Sequence, residues 1–302
     1  MKIPSVSIAL MKAQMLSSLM SPASGDKSDN SMATAFSLPA SNSAANDPLS
    51  SDPISLLTRN SNINSSGSVR LSLAGRNMAL ADPESAYKMM TVINNKDVYY
   101  KAQFSELSQM KSAISRMQDA GQKLGSIALS TGNDSVKSQL HEFVGQYNDW
   151  IQRFDPDLQE GGLLSDTQAA QVSRFELEQN VNYRFFGAKD GVHGLGELGI
   201  NIDPNTRLAS LDIAKLDALL ATNKQGVVNT VQEFSANFTK SASLLNSDGN
   251  FVLKQLDNLN RAIHYIADNK DSLQKEFGTG DAAKPTGQVA QALAAYNQID
   301  GT

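Results

Sequence analysis

The chain has 302 residues, a net charge of −5, 40% hydrophobic, 6% aromatic and 19% charged residues, and no cysteine. That balance lacks the basic footprint of a nucleic-acid binder, and the missing thiols exclude disulfides, a thiolate metal site and a cysteine nucleophile. The low aromatic content fits long helices and polar tails better than one compact core. No run of roughly eighteen apolar residues reads as a membrane-spanning helix, so membrane insertion is not expected.

Residues 1–82 are rich in Ser, Asn, Ala, Pro and Asp. Such a stretch buries too little apolar surface to offset its ordering entropy, and it reads as a disordered N-terminal tail with a weak helix over 7–19. Pro4 and Lys12 interrupt the apolar part of the first twenty residues, so a cleaved signal peptide is not expected. The tail reads as an export signal with an assembly segment, or as a plain linker.

Asp82-Pro83-Glu84 opens a long helix to about residue 129, with Asp as N-cap and Pro at the first helical position. Within it Leu107, Met110, Ile114, Met117, Gly121, Leu124 and Ala128 follow three-four spacing, a heptad seam. Gly121 reads as a weak point in that seam. Packing against other helices of the same chain is a simpler account of the seam than an intermolecular coiled coil. Residues 130–134 break the helix and cap a second one over 135–154, with Leu140, Val144, Tyr147, Ile151 and Phe154 on one face and Asp155-Pro156 as its end. Two helices joined by a short turn make an antiparallel pair. Trp150 reads as core beside that seam.

A third helix is expected over 167–186, capped by Ser165 or Asp166, with Ala169, Val172, Phe175, Gln179 and Tyr183 on its buried face. A Gly-rich linker over 187–194 precedes a strand in which Leu198, Ile200 and Ile202 alternate with Gly199 and Asn201. Asp203-Pro204-Asn205-Thr206 is the turn, residues 207–211 are the return strand, and Asp212 lies in the first turn of the helix that follows. Another helix is expected over 225–245, with Val228, Val231, Phe234 and Phe238 on one side. After the break at 246–250, a last long helix over 251–277 carries Val252, Leu256, Leu259, Ile263, Ile266 and Leu273. A flexible linker over 278–287 and a short terminal helix over 289–299 complete a mainly α chain with one small β-hairpin. The organisation expected is a tail (1–82), a helical domain (83–277), and a linker with a terminal helix (278–302).

Reactive constellations are weak. Residues 194–199 spell G-x-G-x-x-G, but a helix precedes and a strand follows, the reverse of a dinucleotide fingerprint. His141, His193 and His264 lack ligand spacing, so no metal is expected. Three S-x-x-K matches, at Ser85, Ser108 and Ser272, lack companion motifs. Asp203, Asp212 and Asp217 read as turn and surface residues. No catalytic residue, cofactor or enzymatic activity is expected.

Leu195, Leu198-Gly199-Ile200, Asp203, Leu208, Leu211-Asp212 and Lys215-Leu216 are similar to the C-terminal part of the bacterial flagellar filament cap family, hook-associated protein type 2. Arg207 stands where that family has glycine. Phe143-Val144 with Tyr147-Asn148, Lys111-Ser112-Ala113-Ile114 and the Gly161–Asp166 segment also resemble the family. Typical members insert large β-rich heads between the first two helices, where this chain has a short turn. The resemblance, over about 86–277, therefore implies a headless version that keeps a leg of long helices, 86–129 with 251–277. The leg seam would be Leu107, Met110, Ile114, Met117, Leu124, Leu256, Ile263 and Ile266. It further implies a non-enzymatic structural protein of the flagellum, exported without a cleaved signal, that self-associates as a homo-oligomer. Flagellin or hook-junction subunits, and an export chaperone, would be its partners. The alternative is a cytoplasmic binding module that regulates or chaperones flagellar export.

Overall fold

The computed structural model describes residues 75–184 and 191–300. The helix expected near the N-terminus and most of the tail lie outside the described residues. The elements are α1 (Pro83–Leu124), α2 (Asn133–Leu158), α3 (Gln168–Asn182), β1 (Ile200–Ile202), β2 (Ala209–Leu211), α4 (Ile213–Thr222), α5 (Lys224–Asn246), α6 (Phe251–Phe277) and α7 (Gly287–Asp300). The fold is mainly helical with one small antiparallel hairpin. The described residues divide into two compact units, one within 75–100 and 258–284, the other within 101–257 and 285–300.

In the first unit, the start of α1 is built as its sequence dictates. Asp82 Oδ1 accepts from the Ser85 N–H at 3.0 Å and Pro83 takes the first helical position. Hydrogen bonding from the Ser85 side chain and then its N–H holds the exposed Asp82 carboxyl below its ordinary value. Met90 and Ile93 of α1 pack with Ile266, Leu273 and Phe277 of α6. Residues 75–82, expected in the tail, make ordered contacts. The Asn77 amide donates to the carbonyls of Lys275 and Glu276, both at 3.0 Å, and so satisfies the open C-terminus of α6.

Residues 278–284, expected as a flexible linker, run as a strap along α1. Asn94 donates to the carbonyls of Thr279 (3.1 Å) and Asp281 (2.8 Å), and the Tyr87 hydroxyl donates to Asp281 at 2.9 Å. The Asp281 N–H donates to Thr91 Oγ1 at 2.8 Å, and the Thr279 N–H to the Gly75 carbonyl at 2.7 Å. Glycine makes the approach possible. Gly280 has φ +62°, and a Cβ there would stand 2.5 Å from the Thr91 nitrogen.

In the second unit, α1 and α2 are antiparallel: Lys123 pairs with Glu142 at 2.9 Å, and Arg153 with Glu106 at 2.5 Å. The turn between them spans only 125–132. It is closed by Thr131 Oγ1, which accepts from the Ala128 N–H, and is tied to α5 by Gln232 donating to the Ile127 carbonyl at 2.7 Å. The α2 N-cap is Gly132, with no side-chain cap. The helix runs through Pro156 to Leu158, past its expected end, because Asp157 and Leu158 are buried and packing outweighs proline's lost N–H. The core is aromatic. The Phe143 ring meets Phe234 and Phe238 edge-on, at 5.1 and 5.2 Å. The Phe238 ring lies where a Cβ on Gly121 would stand 2.6 Å away, so the expected weak point is a notch that α5 fills. Tyr296 of α7 packs edge-on against Phe104 at 5.9 Å.

The face of α3 is a correction. Its buried residues are Ala169, Ala170, Ser173, Leu177 and Val181, while Phe175 and Tyr183 are 53% and 56% exposed. Small Ala and Ser side chains let α3 sit close to its neighbours, and close backbone approach outweighs the larger apolar groups in choosing the face. Its N-cap is Thr167 rather than Ser165 or Asp166, with no side-chain cap bond. The helix ends at Asn182, before the expected 186, with Tyr183 as C-cap.

Candidate functional site

The seam predicted from spacing is buried as far as Leu124, where α1 ends, whereas Ala128 is half-buried in the turn beyond it. Leu107, Met110, Ile114, Met117 and Leu124 lie in the core on α1, in the second unit. Their stripe also carries Ala102, Ala113, Ala120 and Gly121, a face wider than a two-position coiled-coil seam, which fits enclosure by several helices of the same chain. On α6, Leu256 belongs to the second unit, whereas Ile263 and Ile266 belong to the first. Ile266 packs with Met90 and Ile93, contacts the heptad pattern did not single out because it was counted only from residue 107.

The hairpin is a small antiparallel module. Ile200 pairs with Leu211, Asn201 with Ser210 and Ile202 with Ala209. The strands are shorter than expected. In the turn, Asp203 Oδ1 accepts from the N–H groups of Asn205 and Thr206, both at 2.8 Å, which holds its carboxyl below the ordinary range. Arg207 has φ +59°, the left-handed conformation that glycine adopts freely. The arginine keeps the glycine geometry, and its guanidinium pays for the strain by pairing with Asp155 of α2 and lying 3.8 Å from Glu178 of α3.

The other strand edge is closed by a side chain. Asn148 donates its amide to the Ala209 carbonyl at 2.9 Å and accepts from the Ala209 N–H at 2.7 Å. A carboxamide has the donor and acceptor of a peptide group, so Asn148 acts as a one-residue strand. With Phe143 and Tyr147 fully buried beside it, the Phe-Val-x-x-Tyr-Asn segment joins the helical core to the hairpin. Burial raises the Tyr147 phenol well above its ordinary value. Asp212 is the N-cap of α4 rather than a first-turn residue, and accepts from the Lys215 N–H at 3.0 Å.

The glycines of 194–199 serve backbone packing. Gly199 has φ +101°, and a Cβ there would meet the Asp212 carbonyl at 2.8 Å. A strand, not a helix, follows them. His193 lies 3.3 Å from Glu197, while His141 and His264 are exposed on other helices. Among the described residues no group of three or more His, Asp or Glu side chains is placed to hold a metal ion. No described helix is long and apolar enough to cross a membrane. A groove of about 690 Å³ between α1 and α5 is lined by Gln118, Gln122, Gln232, Ser235, Thr239 and Lys240. Lys240 is the sole charged group among those lining it, so the groove holds no acid–base pair.

The arrangement is therefore a set of packed helical faces joined to a hairpin. Comparison with known proteins gives one family: the model for the C-terminus of flagellar hook-associated protein 2 matches residues 113–284, more than half of the chain. No curated protein and no solved structure matches the chain.

Proposed function

The chain belongs to the flagellar hook-associated protein 2 family, and from that premise we propose that it caps the growing flagellar end and assists flagellin polymerisation. The family gives it a cap-type structural role and a place at the flagellum. The observation that supports the finer reading is the eight-residue connection 125–132 between two antiparallel helices, inside a chain that matches the family over 113–284. A chain of this build works by steric support, as a headless leg. It self-associates through helical faces, contacts flagellin or hook-junction subunits, and leaves the cell without a cleaved signal. Leu107, Met110, Ile114, Met117, Leu124, Leu256, Ile263 and Ile266 would set the packing of that leg. The organisation that accompanies this reading is a tail, a helical domain and a terminal helix.

The test is a deletion strain complemented by a tagged copy. Lost filaments, flagellin released into the medium and tag at filament tips support the cap reading. Intact filaments with the tag confined to the cell overturn it, in favour of a cytoplasmic module that regulates or chaperones export.

A further inference from the structure

Two carboxyl groups and one guanidinium meet inside the second unit. Glu106 projects from α1, and Asp157 and Arg153 project from α2 one turn apart. Glu106 and Asp157 are 5% and 3% exposed. Arg153 Nη2 donates to Glu106 Oε2 at 2.5 Å and to Gln109 Oε1 at 3.0 Å, and Nη1 donates to Asp157 Oδ2 at 3.2 Å. The two carboxyls also lie within hydrogen-bonding reach of each other. The charged groups acting on the pair are each other and Arg153.

One guanidinium cannot balance two carboxylates. Fully ionised, the cluster carries a net negative charge where water is excluded, an arrangement that burial penalises. A single proton changes this. It brings the cluster to neutrality and converts repulsion between two carboxylates into an O–H···O⁻ hydrogen bond, among the stronger kinds in proteins.

We infer that Glu106, Asp157 and Arg153 form a proton-retaining clasp across the α1–α2 seam, closed when the two carboxyls share one proton and weakened when that proton leaves. Arg153 itself is partly open to solvent. Burial holds both carboxyls above their ordinary values, with the Arg153 guanidinium opposing that rise. The folded chain therefore binds the proton more tightly than the unfolded chain. The clasp contributes fully below the ordinary carboxylate range and loses its contribution as pH rises through the raised values. This inference stands on the cluster itself and does not depend on the flagellar reading.

The chain carries its own reporter. Trp150, its single tryptophan, is buried on α2 with its ring 5.7 Å from Phe154. Denaturation of the full chain, followed by Trp150 fluorescence from about pH 4.5 to about pH 8.5, reads the packing of α2. In the wild-type chain the unfolding constant should rise with pH, by up to about tenfold per pH unit between the ordinary and the raised carboxyl values, where the folded chain keeps a proton the unfolded chain has lost. Glu106→Gln places an amide where the protonated carboxyl stood and leaves one carboxylate for one guanidinium. It should remove the larger part of the slope, and Asp157→Asn should do the same. Slopes equal to wild type in both variants would overturn the clasp. Should neither variant fold, carbon-13 titration of the wild-type carboxyls decides. A coupled Glu106–Asp157 pair titrating above the ordinary range supports the shared proton, and two independent titrations within that range overturn it.

Discussion

The two units are held by different chemistry. Residues 75–100 with 258–284 offer two helix faces and a small apolar cluster of Met90, Ile93, Ile266, Leu273 and Phe277. Such a pair is too narrow to enclose a core, so a polar strap with close-approach glycines completes it. Residues 101–257 with 285–302 enclose Phe143, Tyr147, Phe234 and Phe238 among several helices, and their polar contacts sit at the seams. Narrow assemblies in this chain depend on the backbone fitting closely, and wide ones on aromatic volume.

The comparison breaks most sharply at Phe143. Phe143→Ala removes a ring with two edge-on partners, and should cost the second unit about 3–5 kcal/mol in denaturation read at Trp150. Amide exchange over 258–277 should change far less than exchange over 136–158. In the first unit the corresponding change is smaller and comes from backbone. Gly280→Ala forces a Cβ against Thr91 at positive φ, costing about 1–3 kcal/mol. Limited proteolysis should then cut within 278–284, where the wild-type chain resists.

Asn148→Ala leaves the Ala209 N–H and carbonyl without their partner, at about 1–3 kcal/mol, and amide exchange at Ala209 should accelerate. The smallest effect is at Arg207. Arg207→Ala keeps the left-handed strain and loses the pairing with Asp155, whereas Arg207→Gly relieves strain of about 1 kcal/mol while losing the same pairing. The glycine variant should therefore melt above the alanine variant. The reverse order would remove strain from the account of this turn.

Much of the fold is legible in local sequence. The Asp82-Pro83 start, the Asp203 turn and the apolar face of α5 each follow from chemistry within a few residues. What is not legible depends on partners distant in sequence. Gly121 looks weak until Phe238 fills it, and Phe175 looks buried until the small face of α3 takes its place. The strap reads as a linker because its bonds reach Asn94, Tyr87 and Thr91, nearly two hundred residues away. Asp157 faces Arg153 one turn away on α2, but Glu106 carries no local signal, since only folding sets it against that same arginine.

The bond from the Thr279 N–H to the Gly75 carbonyl makes the intervening chain a closed ring whose seam is one peptide group wide. Closure entropy grows only with the logarithm of loop length, so a ring of this size tolerates added residues far from its seam. The α1–α2 turn, exposed at Leu129 and Ser130, lies well away in sequence from both ends of that seam. Residues inserted there should leave the strap intact, read as unchanged resistance of 278–284 to limited proteolysis. By the same closure, that turn is a point where added chain costs little entropy.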